Sequence, residues 1–337
     1  MDLSIREDLI RDACDLTNVN SLLQKSNSVD TVLRGLRIRS ANVIRYKSGR
    51  RCLIKYSGEN HHGTVLEFLG KIRFKGLDLK SASLQQNLRF AGFDGTQDCS
   101  VPRVLGTLPS LNMWLQHYVS DSKPLTVTSV DFIARQVQVA HCLARLHQTK
   151  IECSRCHTAD DELRLLQSRL YDLSELRADL GRCIEALQNL TREIADRLSV
   201  QRNESTIHRD FYFDQVLVSP KHTVLLDWDL GCIGPAELDV GNYVAHLREY
   251  AIRNTNFQEA CSEAEHEFTR AYFDRMPHAS RLAVEHWALL TIARHVALSN
   301  TLAGRSHTTF ALVERVIRDS VHLQLQGAKK LSLPFTL

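Results

Sequence analysis

Short apolar runs separated by turn residues mark the first third of the chain. The runs Val43–Tyr46, Cys52–Tyr56, Val65–Phe74 and Met113–Val119 are rich in the β-branched and aromatic side chains that strands favour. The turn Lys47–Arg50 joins the first two runs as a hairpin. This part of the chain is therefore predicted to form a sheet.

One helix interrupts these strands. It is predicted from about Lys80 to Phe90 and to end at Gly92, because glycine readily adopts the left-handed backbone that often follows a helix. The predicted order is strand, strand, strand, helix, strand, strand.

The remainder of the chain has a mainly helical pattern. Thr128 with Asp131 resembles a capping box, and apolar residues then recur at spacings of three and four. Residues 205–231 return to short strands, and residues 239–325 are again helical. A β-rich segment followed by a helical one indicates two lobes.

The predicted fold class is accordingly α+β. Residues 1–118 are expected to form a small lobe, with five antiparallel strands and one helix, and residues 119–337 a large, mainly helical lobe.

A heptad repeat in the second lobe allows two interpretations. Apolar residues fall at every seventh position, namely Leu166, Leu173, Leu180, Leu187 and Ile194. We favour two helices packed within one domain, because Gly181 lies in the middle of the repeat and polar residues interrupt the companion positions. The alternative is an interaction module that dimerises through this tract.

Charge and hydropathy exclude several classes of protein. Lys and Arg number 42 against 39 Asp and Glu, for a net charge of +3, and no long run of one sign suggests nucleic-acid binding. No apolar run approaches the ~20 residues that span a bilayer. Residues 1–9 carry acids and lack the order of a signal peptide. We expect a cytoplasmic protein without nucleic-acid or membrane partners.

The segment 207–229 holds the most informative residues. Ile207-His208-Arg209-Asp210 opens it, and Leu226-Asp227-Trp228-Asp229 closes it, so chargeable groups stand at the ends of apolar strands. Phosphoryl transfer requires a carboxylate that orients a hydroxyl, a second oxygen ligand and a carboxylate that holds Mg²⁺. Asp210, Gln215 and Asp227 supply these groups in that order.

This segment resembles the aminoglycoside phosphotransferase and choline kinase superfamily, whose fold is protein-kinase-like. The resemblance implies that Asp210 is the catalytic aspartate, that His208 belongs to the catalytic loop and that Asp227 holds the metal, with Asp229 as its substitute. It also implies that Asp239 supports the loop by hydrogen bonds. Mg²⁺, with ATP or GTP as co-substrate, is the expected cofactor set.

The sequence departs from the pattern of the family at two places. Gln215 stands where asparagine is usual, which keeps the amide oxygen but moves it by one methylene. Gly234-Pro235 lacks the aspartate that the family places between these two residues.

The resemblance also implies a phosphate-binding lysine on the third strand. We favour Lys71, and Lys55 on the second strand is the alternative. The following helix offers glutamines, among them Gln85, where such folds carry the lysine's glutamate partner. The end of the fifth strand, including Gln116 and Tyr118, is expected to bind the nucleotide base.

A separate motif, Cys153-Ser154-Arg155-Cys156-His157, has the C-x-x-C-H pattern of haem attachment, and with His147 it could bind zinc. We interpret it as an incidental pair of cysteines.

Taken together, the sequence predicts a kinase that phosphorylates a hydroxyl of a small molecule such as an amino sugar, a sugar or an amino alcohol. Two alternatives remain open, a kinase of a larger glycan or lipid-linked sugar and a kinase-fold nucleotide-binding protein without catalysis. The sequence does not indicate an oligomeric state.

Overall fold

The computed structural model describes residues 3–199 and 204–331. In chain order the helices are α1 (Leu3–Cys14), α2 (Leu16–Lys25), α3 (Thr31–Arg34), α4 (Leu79–Phe90), α5 (Phe132–Gln148), α6 (Ala159–Leu176), α7 (Gly181–Leu198), α8 (Ala236–Arg253), α9 (Gln258–Arg275), α10 (Arg281–Ser299) and α11 (Thr309–Leu331). The strands are β1 (Arg37–Lys47), β2 (Arg51–Glu59), β3 (Val65–Arg73), β4 (Cys99–Ser100), β5 (Val104–Leu108), β6 (Met113–His117), β7 (Lys123–Pro124), β8 (Ser205–Ile207), β9 (Val216–Ser219), β10 (His222–Leu225) and β11 (Cys232–Gly234).

These elements form two compact units. The first unit comprises the chain up to Lys123 together with Leu217–Asp229, and the second comprises Pro124–Val216 and the chain from Leu230 onward. The first unit is therefore discontinuous and takes a short segment from the second half of the chain. The two predicted lobes, residues 1–118 and 119–337, stay a prediction.

The main sheet of the first unit has five antiparallel strands in the order β1-β2-β3-β6-β5. Helix α4 follows β3 as predicted, and Gly92 beyond it has a φ of +99°. The turn between β1 and β2 is closed by the Arg50 N–H, which donates to the Lys47 carbonyl at 3.0 Å. The predicted strand order and hairpin are confirmed.

The two faces of this sheet differ in character. On one face Tyr56 stacks on Phe68 with ring centroids 5.0 Å apart, and helices α1 to α3 contribute Ala13 and Leu23 to the same core. The Tyr56 hydroxyl donates to the Ala13 carbonyl at 2.7 Å. Side chains alternate across a sheet, so the other face of β2 and β3 carries the partly exposed residues Arg51, Leu53, Lys55, Glu67, Leu69, Lys71 and Arg73.

A second, smaller sheet brings the late segment into the first unit. β10 lies between β9 and β4, and it pairs in parallel with β4 through Thr223 opposite Cys99. β10 ends at Leu225, so the chain reaches Asp227 directly after a strand whose position the sheet fixes.

The second unit is mainly helical. Helix α8 packs on α10, and α5 packs on α9, around a core in which Tyr243 stacks on Phe268 at 4.0 Å. Helix α5 begins at Phe132, and Asp131 accepts a hydrogen bond from Arg135 Nε at 2.7 Å, so the predicted cap at Thr128 is wrong. The Ser129 N–H donates to the Thr126 carbonyl at 2.9 Å and the Phe132 N–H donates to the Ser129 carbonyl at 3.0 Å, so residues 126–132 form turns and the helix starts later than the pattern suggested.

The heptad tract forms two helices, α6 and α7, which pack against each other. All five heptad residues are buried within this unit, namely Leu166, Leu173, Leu180, Leu187 and Ile194. The favoured interpretation of two packed helices is confirmed.

Within residues 3–199 and 204–331, no helix is both long enough and apolar enough to cross a bilayer.

Candidate active site

The loop that carries Asp210 is built in the second unit on two short strands. β8 and β11 pair antiparallel, with Ile207 opposite Cys232, and His208 follows β8 at once. Arg209 has a φ of +70°, a left-handed conformation that is uncommon for a residue with a side chain. This turn directs the loop away from the strand and leaves Asp210 half-buried.

Asp239 holds this turn in place. Its Oδ2 accepts the His208 N–H at 2.7 Å, and its Oδ1 accepts the Arg209 N–H at 2.6 Å. Both oxygens of one buried carboxylate therefore bind consecutive backbone amides, which offsets the cost of the strained turn. The expectation that Asp239 supports the loop by hydrogen bonds is confirmed.

A buried histidine completes the surroundings of Asp239. His147 Nε2 lies 3.1 Å from Asp239 Oδ2, and His147 Nδ1 lies 2.7 Å from the Tyr272 hydroxyl. A carboxylate can only accept, so Nε2 carries a proton and donates it to Asp239. His147 therefore helps to hold the Asp239 carboxylate in position.

Further hydrogen bonds reach the loop through Phe211. Its carbonyl accepts Asn242 Nδ2 at 2.9 Å, and Arg294 donates to Asn242 Oδ1 at 2.5 Å. Arg294 also donates to Glu162 Oε1 at 3.2 Å, and the other Glu162 oxygen meets His157 Nε2 at 2.9 Å. A buried polar network from α6, α8 and α10 therefore positions the loop.

Glu162 is the anionic centre of that network. Burial raises its pKa, but Arg294, His157 and Arg209 outweigh this effect and lower the pKa to about 2, against an ordinary value of 4.5. A lowered pKa stabilises the fold above pH 4.5, and this contribution is lost as the pH falls toward 2.

Replacing Glu162 by glutamine should therefore destabilise the protein at pH 7 by about 3 kcal/mol, because Arg294 and His157 lose their buried anion. The deficit should narrow as the pH falls from 4.5 toward 2. Urea unfolding of wild type and variant at several pH values measures it, with Glu175→Gln on the exposed side of α6 as control. A deficit that does not change with pH would show that Glu162 is not ionised in the folded protein.

In the first unit, cations of the main sheet converge on the two aspartates that follow β10. Lys71 Nζ lies 3.4 Å from Asp227 Oδ1 and 3.2 Å from Asp229 Oδ1. Arg51 pairs with both carboxylates, and Arg73 lies 2.7 Å from Asp229 Oδ2. Burial lowers the pKa of Arg51, but the two aspartates outweigh it and the net shift is upward.

The backbone at Asp227 is as unusual as the backbone at Arg209. Asp227 has a φ of +56°, which aspartate tolerates better than most residues. The side chain of Asp229 is only 7% exposed, against 19% for that of Asp227. The sequence marked both aspartates, but it gave no sign that Asp229 binds three cations.

Lys55 has different partners on the same face of the sheet. Its Nζ lies 2.7 Å from Glu67 Oε1 and 3.9 Å from the centre of the Tyr118 ring. The Tyr118 N–H donates to the Glu67 carbonyl at 3.2 Å, and the buried Gln116 accepts a hydrogen bond from Gln85 at 3.3 Å. Lys55 therefore belongs to a local cluster at the far end of β3, whereas Lys71 meets the aspartates.

The chemistry of Asp227 and Asp229 fits a divalent cation. Carboxylate oxygens are the ligands that Mg²⁺ prefers, and it commonly takes one or two of them and completes its shell with phosphates and water. Both carboxylates converge on one positively charged group, Lys71 Nζ. In the part of the chain that the structure describes, no group of three or more His, Cys, Asp or Glu side chains could hold a metal ion.

Gln215 lies in the second unit at the end of a short 3₁₀ turn, where its side chain is buried. Its N–H donates to the Tyr212 carbonyl at 2.9 Å.

In the C-x-x-C-H motif, His157 binds Glu162, as described above, and Cys156 is exposed.

Sequence reasoning missed five residues of these clusters, namely Arg51, Arg73, Glu162, Asn242 and Arg294. A signal existed for the first two, because Arg73 follows Lys71 by two residues and Arg51 precedes Lys55 by four, which places them on the same face of the sheet. The other three lie on separate helices, and their spacing carried no such signal.

The chain matches one family model. Residues 88–283, more than half of the chain, match the model of the phosphotransferase enzyme family. Among curated protein sequences, none matches the chain.

Solved structures of similar fold cover most of the chain. The choline kinase from Cryptosporidium parvum Iowa II has 14% identity and a TM-score of 0.62, with 93% of this chain and 97% of that chain covered. The choline kinase LicA from Streptococcus pneumoniae has 12% identity and a TM-score of 0.59, with 85% and 94% covered. A choline/ethanolamine kinase family protein from Mesorhizobium loti has 12% identity and a TM-score of 0.57, with 91% and 94% covered. The predicted α+β, protein-kinase-like fold is confirmed.

Proposed function

Because the chain belongs to the phosphotransferase enzyme family, we propose that it transfers the γ-phosphate of ATP or GTP to a hydroxyl of a small molecule. The acceptor classes are amino sugars, sugars and amino alcohols. The observation that carries this proposal is the pairing of Lys71 with both Asp227 and Asp229, which joins the lysine of the sheet to the carboxylates of the late motif.

The residues of the first unit take the nucleotide in this proposal. Asp227 and Asp229 would hold Mg²⁺, and the role of Gln215 as a metal ligand stays a prediction. When bound, Mg²⁺ supplies positive charge that offsets the charge of the phosphate oxygens. Lys71 binds the phosphates, and the end of β6, at Gln116 and Tyr118, takes the base.

The second unit supplies the group that acts on the acceptor. Asp210 orients the acceptor hydroxyl and takes its proton as the oxygen attacks the γ-phosphorus, while the bond from that phosphorus to the bridging oxygen breaks and the nucleoside diphosphate leaves. His208 and Arg209 act through their backbone, because Asp239 fixes both amides and so fixes the direction in which Asp210 leaves the strand. Such preorganisation is the main means by which phosphoryl transfer is accelerated.

A panel of acceptors tests the function. Purified protein with Mg²⁺ and either ATP or GTP is incubated with amino sugars, sugars and amino alcohols, and transfer is followed by nucleoside diphosphate release and by ³¹P NMR of the product. We expect one class to be phosphorylated. Transfer only to a glycan or a lipid-linked sugar would favour the larger acceptor, and nucleotide binding without any transfer would favour a non-catalytic protein.

The two lysines should differ in their importance. Lys71→Ala should lower nucleotide affinity by about 10- to 100-fold, as expected for the loss of a charge-assisted contact to phosphate. Lys55→Ala should have an effect of only a few fold, since its partly exposed pair with Glu67 contributes about 1 kcal/mol or less. Calorimetric titration of both variants measures this, and equal losses would show that Lys71 is not the phosphate-binding lysine.

A further inference from the structure

Two arginines accompany Lys71 without a role in the proposed reaction. Arg51 is the first residue of β2 and lies opposite Arg73 in the register of β2 and β3. Both point to the same face as Lys71, and both reach Asp229. Kinases of this fold need a single lysine from the sheet for the phosphates. The arginines therefore call for another explanation.

The hairpin before Arg51 gives the first part of that explanation. In protein kinases a glycine-rich loop covers the nucleotide phosphates at this place. Here the turn Lys47–Arg50 is short and closed by its own hydrogen bond, and Gly49, with a φ of +67°, is its single glycine. A turn of this kind offers few free amides, but Arg51 follows it at once and extends a guanidinium to the aspartates.

Charge gives the second part. The three cations Arg51, Lys71 and Arg73 meet three carboxylates, those of Asp227, Asp229 and Asp78 at the start of α4. Two of these carboxylates are the proposed metal ligands. When these two carboxylates bind a metal ion, they no longer neutralise the three cations, which can then bind an anion. A guanidinium suits phosphate in particular, because its planar fork of donors matches the phosphate oxygens.

Building on the proposed function, we propose that Arg51 and Arg73 bind the phosphates of the nucleotide, so that guanidinium groups replace the amides of a glycine-rich loop. The nucleotide then meets three cations from one face of the sheet. Recognition rests on the phosphate chain, and the base contributes less.

Binding measurements test this inference without any need for turnover. Arg51→Gln, Arg73→Gln and Arg51→Lys are titrated by calorimetry with ATP, adenosine and inorganic tripolyphosphate in the presence of Mg²⁺. Arg37→Gln is the control, because Arg37 is exposed at the other end of the β1–β2 pair. Each glutamine variant should bind ATP and tripolyphosphate about 10- to 100-fold more weakly and adenosine as wild type does. The lysine variant should be intermediate, because it keeps the charge and loses the fork.

Three results would overturn the inference. The first is wild-type affinity for ATP and tripolyphosphate in both glutamine variants, or a wild type that binds neither ligand. The second is equal loss of all three ligands with lowered thermal stability, which would mean that the arginines only maintain the sheet. The third is full rescue by higher Mg²⁺, which would mean that they only position Asp229.

Failure of the proposed function would look different. In that case tripolyphosphate binding would fall in the arginine variants as expected, while the wild type would transfer phosphate to no acceptor.

Discussion

Replacing Asp210 by asparagine should lower the rate of phosphoryl transfer by about 10²- to 10⁴-fold while nucleotide affinity stays at its wild-type value. Asparagine is nearly the same size as aspartate but cannot take the proton of the acceptor hydroxyl. The loop should remain folded, because Asp239 holds it through the amides of His208 and Arg209 and not through the Asp210 side chain.

Transfer rate and calorimetric nucleotide affinity, measured on the same preparation, test both halves of this expectation. Asp172→Asn, at an exposed position of α6, controls for the general effect of losing a carboxylate. A variant that transfers phosphate as fast as wild type would remove Asp210 from the catalytic role. Loss of nucleotide affinity together with activity would place Asp210 among the nucleotide ligands instead.

Asp227→Asn should weaken Mg²⁺-dependent nucleotide binding by more than about 100-fold, since even a residue that only supports a metal ligand contributes ~10- to 100-fold. Asparagine is the informative substitution, because it tolerates the φ of +56° at this position and removes only the charge. Alanine would add backbone strain to the loss of the ligand.

Asp229→Asn should differ from Asp227→Asn in how strongly it lowers stability relative to magnesium-dependent nucleotide binding. Asp229 is the more buried carboxylate and meets three cations, so its loss should lower stability more. Magnesium titrations of nucleotide binding, with thermal unfolding of each variant, separate the two. If Asp227→Asn kept its full magnesium response and Asp229→Asn lost it, the metal role would belong to Asp229.

The strands and α4 could be predicted because their signals are local. Alternation in β2 and β3, the turn Lys47–Arg50 and Gly92 each reflect a backbone requirement within a few residues. The cap at Thr128 failed because threonine and aspartate three residues apart are typical of many turns as well as of helix starts. Helices α1 to α3 carry no motif, and it is the sheet they cover that accounts for their burial.

In the candidate site, too, the features with a local sequence signal could be predicted and those that depend on tertiary structure could not. Asp210, Asp227 and Asp239 follow from a motif with fixed spacing, and the structure shows the bonds of Asp239 that the motif implies. The residues with which these side chains pair could not be predicted from the motif. The family pattern places the acidic partner of Lys71 on α4, yet Lys71 contacts Asp227 and Asp229, more than 150 residues later in the chain. Pairings of that range depend on tertiary structure, which a local pattern does not contain.

The discontinuity of the first unit has a consequence for synthesis on the ribosome. Its main sheet is complete once β6 has emerged, but Leu217–Asp229 follows only after Pro124–Val216 has been made. At ~5–20 residues per second this takes roughly 5–20 s, during which Arg51 and Lys71 have none of their later aspartates. A nascent chain in this interval exposes the cations Arg51 and Lys71 without their aspartates, so the order of translation delays this charge pairing until Pro124–Val216 has been made.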